Sequence, residues 1–214
     1  MTSAPPVPRY RIVSFSVAEL RARLPEALDI YVTAMRYPKG TTEQRAPMWL
    51  THMLREGWRC VAALDDSQRL IGICYGYRGA PGQWWHEQVR RGLLVTSGPA
   101  AVEAWTRDYF ELTELHVRPD AQGHGIGEGL LRMLLDGVPD RTTLLSTPEG
   151  PTRAWQLYRR VGFVDVLRNF LFAGDPRPFA VLGHTLPLAP PVARPSAPEG
   201  RATGGSSDLG ESFT

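Results

Sequence analysis

The feature that most constrains this chain is the run Leu115-His116-Val117-Arg118-Pro119-Asp120-Ala121-Gln122-Gly123-His124-Gly125-Ile126-Gly127-Glu128-Gly129-Leu130-Leu131. It reads as a strand that passes through a glycine-rich turn directly into a helix. Three alternate glycines, Gly123, Gly125 and Gly127, remove Cβ atoms where the backbone must turn tightly and approach a ligand. The amides they bare sit at the first turn of a helix, where free N–H groups and the positive end of the helix dipole form an anion site. The expected ligand is a phosphate.

Spacing decides among the nucleotide-binding families that use such turns. The dinucleotide fingerprint needs glycine at 128 or 130, which are Glu128 and Leu130. A P-loop needs Gly-Lys followed by Ser or Thr, and the single lysine of the chain is Lys39. What remains, Val117-x-Pro119-x-x-Gln122-Gly123-x-Gly125-x-Gly127, resembles the acetyl-CoA signature of the GNAT superfamily of N-acetyltransferases. A second motif, Ala154-x-x-Leu157-Tyr158-x-x-x-Gly162-Phe163, resembles the end of the family's helix beside the cofactor thiol. The resemblance implies an α/β (α+β) GNAT fold over residues 10–188. Its sheet would be mixed and mostly antiparallel, splayed between strands 4 and 5 and flanked by helices.

Element patterns fit that outline. Tyr10 to Val17 alternates as an opening strand, and Leu20, Leu24, Leu28 and Tyr31 follow at helical spacing. Tyr37-Pro38-Lys39-Gly40 breaks the pattern before a second helix through Trp49 and Met53, and the two helices should wall one side of a site. Trp58–Leu64 and Arg69–Tyr77 read as a hairpin, and Tyr109–Val117 as the strand feeding the glycine turn. Gly150-Pro151 is expected to open a helix with Pro151 at its first position, and Gly162 to end it. Phe163–Phe172 and Phe179–Leu188 should be the closing strands.

Residues 80–108 exceed an ordinary connection between strands and are expected to be a helical, substrate-side insertion. Residues 1–9 read as a flexible N-terminus. The Pro/Gly/Ser-rich segment 189–214 reads as a disordered tail, since it cannot repay its ordering entropy by apolar burial. A net charge of +2 gives no basic field for nucleic acid. The absence of a leader or of a long apolar run points to a cytoplasmic protein with no membrane partner. Cys60 and Cys74 read as small buried hydrophobes.

The resemblance also implies roles. The amides of Gln122, Gly123, His124, Gly125, Ile126 and Gly127 would hold the CoA pyrophosphate, and the strand backbone at Leu115, His116 and Val117 would pair with the pantetheine arm. Tyr158 matches the tyrosine near the thioester sulfur. Many relatives carry Asn where this chain has Pro151, so that contact to the pantetheine arm should be missing. Glu111 matches the family's general base. An alkylamine of pKa ~10.4 costs roughly 4.6 kcal/mol to deprotonate at pH 7, and a carboxylate acting through water eases that step. Simple alternation sets Glu111, Thr113 and Leu115 against Leu112, Glu114 and His116. A bulge would shift that pattern, so Glu114 and His116 stand as alternative bases.

Trp84, Trp85, His86 and Trp105 of the insertion are candidates for the acceptor pocket. Between residues 99 and 114 the acids Glu103, Asp108, Glu111 and Glu114 outnumber Arg107, a mild acidity suited to a cationic amine. The reaction expected is direct attack of a primary amine on acetyl-CoA, with no metal and no acyl-enzyme, since no cysteine lies near either motif. The acceptor is a protein lysine, making the reaction lysine acetylation, or a small-molecule amine. A homodimer is an allowed assembly. The competing expectation is a catalytically weak CoA-binding regulatory module.

Overall fold

The computed structural model describes residues 9–38 and 40–190. Residues 1–8, Lys39 and 191–214 lie outside the described residues, and with them nearly all of both expected terminal segments. A seven-stranded sheet runs in the order β1-β2-β3-β4-β5-β7-β6. Its strands are β1 (Tyr10–Phe15), β2 (Arg59–Asp65), β3 (Leu70–Arg78), β4 (Tyr109–Val117), β5 (Thr142–Pro148), β6 (Val164–Leu171) and β7 (Pro178–Thr185). Every neighbouring pair is antiparallel except β4 with β5. The expected mixed, mostly antiparallel sheet is therefore present. Among the described residues no helix is long and apolar enough to cross a membrane.

The first strand stops at Phe15, two residues short of the sequence expectation, because Ser16 caps a helix. Its hydroxyl accepts from Glu19 N–H at 3.2 Å while the Glu19 carboxylate takes the Ser16 N–H at 2.7 Å. This reciprocal capping box is legible as Ser-x-x-Glu. Two helices follow in place of one run, α1 (Val17–Ala22) and α2 (Leu24–Met35), separated at Arg23, with Pro25 in the first turn of α2. With α3 (Thr41–His52) they bury Leu20, Leu28, Ile30, Tyr31 and Trp49 against one face of β1–β3.

The insertion forms α4 (Trp84–Thr96) and α5 (Pro99–Thr106). Both cover the same face further along the sheet, where Val89 and Leu93 pack with Tyr109, Leu144, Leu167 and Val181. The opposite face is covered by α6 (Ile126–Leu135) and α7 (Arg153–Val161), through Ile126, Leu130, Leu134, Tyr158 and Val161. Helix α7 begins later than expected. Thr152 is its N-cap, accepting from Trp155 N–H at 3.1 Å, so Pro151 lies outside the helix. A threonine at that position satisfies a first-turn amide, which a proline at the first helical position would leave to solvent.

Candidate active site

The site begins where β4 leaves β5. The two strands pair only over Tyr109–Glu111 with Thr142–Leu144, after which β4 runs on to Val117 with no partner on that side. Parallel strands that separate in this way expose backbone N–H and C=O groups along one edge, a template for an extended ligand. The opening belongs to a cavity of about 1390 Å³. It is larger than one drug-sized ligand requires, which is room for two substrates meeting end to end.

On the floor of this cavity, β4 carries a bulge. Tyr77 pairs with Glu111, Gly76 with Leu112 and Tyr75 with Glu114, so β4 uses one residue more than β3. Tyr75 and Tyr77 share a face, and therefore so do Glu111 and Glu114. A Cβ on Gly76 would stand 2.3 Å from the Glu111 carbonyl oxygen and 2.4 Å from the Phe110 ring, so the bulge is built on glycine.

Glu111 is 3% exposed. Its Oε1 accepts from the Tyr77 hydroxyl at 3.0 Å, and its Oε2 is buried without a partner. Burial pushes the carboxyl up to about 7, against the opposing pull of the Tyr77 hydrogen bond and the Arg55 charge. Glu114 is held differently, with Oε2 2.5 Å from His116 Nε2, and the His116 ring stands edge-on to Tyr31 at 5.0 Å.

Tyr158 reaches the cavity from α7, with its ring 5.6 Å from Phe163. Burial raises its hydroxyl well above the ordinary phenol value, so it stays protonated and can donate. Cys74 turns out to share the Tyr158 cluster, although it is far from both motifs in sequence. It is wholly buried and its thiol is pushed well up, the reverse of what an acyl carrier needs.

At the far end, Val117, Pro119, Gln122 and Arg153 line the cavity. Gln122 is pinned by donating to the Val117 carbonyl at 2.9 Å and accepting from Arg153 at 3.2 Å. Residues 123–127 are not among the cavity walls. Gly123 and Gly125 have φ of +89° and +80°, and nothing lies within 4 Å of where their Cβ atoms would stand. The first bond of α6 runs from Gly129 N–H to the Gly125 carbonyl, which leaves the amides of Ile126, Gly127 and Glu128 without helical acceptors. Open space over free amides fits a pyrophosphate. Gly127 has another reason for its size, since its Cβ would meet Leu157 at 3.3 Å where α6 packs on α7. The His124 carbonyl accepts weakly from Tyr10 at 3.4 Å.

Of the insertion residues, Trp84 and Trp85 line the cavity; His86 and Trp105 do not. Trp85 donates from Nε1 to Ser146 at 3.1 Å and stacks near Phe172. His86 is buried 3.2 Å from the Tyr109 hydroxyl. The Trp105 ring packs where a Cβ on Gly183 would stand, 2.5 Å away, and holds α5 to β7. Of the acids read between residues 99 and 114, Glu111 and Glu114 line the cavity, whereas Glu103 and Asp108 do not. Glu103 pairs with Arg107 at 2.9 Å and Asp108 with Arg78 at 2.7 Å, both away from the cavity.

The helices expected to wall one side of a site do line the cavity, and the arginines and histidine they turn inward are ones the sequence pattern did not single out. Tyr31, Arg36, Tyr37, Arg45, His52 and Arg55 line it from α2, α3 and the loops that follow each helix. Burial pulls His52 down to about 4, and its Nδ1 lies 3.0 Å from the Tyr75 hydroxyl, so the ring is neutral in use. Only the helical spacing of α2 and α3 hinted at this wall, and spacing does not reveal which polar residues turn inward.

Residues 24–163 match the profile of the Acetyltransferase (GNAT) family. The chain is 46% identical over 202 residues to a GCN5-like protein acetyltransferase of Mycobacterium tuberculosis, covering 83% of this chain and 98% of that one. Its fold is similar to that of the ribosomal-protein-S18-alanine N-acetyltransferase of Escherichia coli, with a TM-score of 0.54, 18% identity, and coverage of 85% and 97%. It is also similar to a phosphinothricin acetyltransferase of Sinorhizobium meliloti solved with acetyl-CoA, with a TM-score of 0.55, 18% identity, and coverage of 83% and 88%.

Proposed function

The chain belongs to the Acetyltransferase (GNAT) family, and we propose that it moves the acetyl group of acetyl-CoA to the primary amine of a protein lysine by direct attack on the thioester. The observation that carries this reading is the carboxylate pair Glu111 and Glu114 on one face of the opening beside β4, with Tyr158 on the same cavity. A carboxyl with its pKa near 7 and a free, buried oxygen is suited to take a proton from an ammonium, directly or through a water. The amine nitrogen then bonds to the acetyl carbon, the carbon–sulfur bond breaks, and the second proton of the nitrogen passes through water to the departing CoA thiolate, which leaves as the thiol. Tyr158 supports the departing sulfur with a hydrogen bond. Full proton transfer from a phenol of pKa ~10 to a thiolate of pKa ~8.5 is already uphill by about 2 kcal/mol, and burial of Tyr158 widens the gap.

The pyrophosphate is assigned to the amides after Gly125, and the pantetheine arm to the unpaired edge of β4 around Leu115–Val117. Protein lysine is preferred over a small amine because the relative at 46% identity is named a protein acetyltransferase and is matched over nearly its whole length. The test combines thiol release from acetyl-CoA with mass spectrometry of lysine peptides. A gain of one acetyl group on the lysine supports the proposal. Acetyl-CoA binding with no product on any peptide would refute the acceptor, and failure to bind acetyl-CoA would refute the site.

A further inference from the structure

Three arginines stand along the α2–α3 wall of the cavity. Arg36 ends α2, Arg45 lies in α3 and Arg55 follows it. Among the described residues none of the three has a carboxylate at ion-pair distance. Arg45 has only the Met48 sulfur at 3.8 Å, and the Nε of Arg55 is buried with no partner. The acids on the same cavity are already committed. Asp175 pairs with Arg177 at 2.6 Å, Glu114 contacts His116, and Glu111 accepts from Tyr77. The wall therefore carries three guanidiniums with no direct ion-pair partner beside the carboxyl that would receive the amine proton. A buried N–H donor without an acceptor is costly, and an anionic ligand would relieve that cost.

Two of these guanidiniums are pre-positioned on aromatic faces. Arg45 lies 5.9 Å from the Tyr31 ring centre and Arg55 lies 5.3 Å from that of Tyr77, the residue that holds Glu111. Arg45 and His52 both lie in α3, seven positions apart, which is about 10 Å at 1.5 Å per residue, and Arg55 lies beyond His52. A small amine seated on Glu111 cannot reach from one end of that row to the other. An extended peptide at about 3.4 Å per residue covers it with roughly four residues.

We propose that the acceptor lysine lies within an acidic segment, with Arg55 binding a carboxylate next to the reacting amine and Arg45 and Arg36 binding carboxylates further along. This rests on the protein-lysine acceptor proposed above. The wall then works as a specificity element: acidic neighbours are attracted and basic neighbours are repelled by the same charges.

The experiment compares three peptides of equal length with one central lysine flanked by Glu, by Gln or by Arg. The Glu-flanked peptide should show a kcat/KM at least about tenfold above the Arg-flanked one, with the gap narrowing as salt is raised. The double variant R36E/R45E should reverse that order. Equal rates on all three peptides, or a preference for Arg flanks, would overturn the acidic-segment proposal alone. Product on none of them, with acetyl-CoA still bound, would overturn it together with the lysine acceptor.

Discussion

Glu111 and Glu114 lie on the same face of β4 although they are three residues apart. Tyr77 stands opposite Glu111 and Tyr75 opposite Glu114, and the two tyrosines are two residues apart on β3. Regular alternation would put the two carboxyls on opposite faces. The bulge places both at the opening where β4 parts from β5.

Replacing Glu111 with Gln should lower kcat roughly 10²-fold and remove a rising limb of kcat/KM centred near pH 7. Replacing Glu114 with Gln should leave that limb in place, because its partner is His116. If the limb vanished in the Glu114 variant instead, the two roles would be exchanged. A pH–rate profile of the three proteins decides.

Glu111 also makes folding stability depend on pH. Its folded pKa is raised from 4.5 to about 7, so between those values the native state binds more protons than the unfolded chain. Its contribution is therefore lost as pH rises through that window, by roughly 3 kcal/mol at about 1.36 kcal/mol per pKa unit. Denaturant unfolding at pH 5 and pH 8 should show a smaller drop in stability for E111Q than for the parent protein.

Tyr158→Phe removes a hydroxyl and keeps the ring against Phe163. Turnover should fall roughly 10- to 100-fold while acetyl-CoA affinity stays within about twofold. An unchanged kcat would take Tyr158 out of the reaction. Steady-state kinetics with calorimetric binding of acetyl-CoA reads both quantities.

Gly125→Ala forces a side chain into φ +80°, at a cost of about 1–2 kcal/mol, and puts a methyl group into open space over the free amides. The KM for acetyl-CoA should rise about tenfold, with kcat at saturation falling far less.

Gly76→Ala tests the bulge. Its Cβ would meet the backbone oxygen of Glu111 at 2.3 Å, and backbone cannot swing aside. Thermal unfolding should show a stability loss of about 1–3 kcal/mol. If the alanine were accommodated by undoing the bulge, the activity attributed to the carboxyl pair would be lost with it.

Local signals carried much of this molecule. The glycine turn and the Ala154 to Phe163 motif are runs of neighbouring residues, and they are enough to indicate the family and the mixed sheet. Ser16-x-x-Glu19 was equally local and could have ended β1 at the right place. Thr152 could likewise have displaced Pro151 from the start of α7.

What the sequence by itself determined is the glycine turn before α6, because a turn of bare amides and positive φ angles is specified by a few consecutive residues. The carboxyl pair and the wall facing it were decided only by tertiary structure. The bulge depends on Gly76 meeting Phe110 and Glu111 across a strand pair, and the raised pKa of Glu111 is a desolvation effect that exists only once Tyr77 and its neighbours close over it. Which arginines face the cavity, and that Trp84 lines it while Trp105 does not, follow from how separate helices pack on one sheet. Non-local burial and strand register have no signature in adjacent residues, so this half of the cavity could be read only from the folded chain.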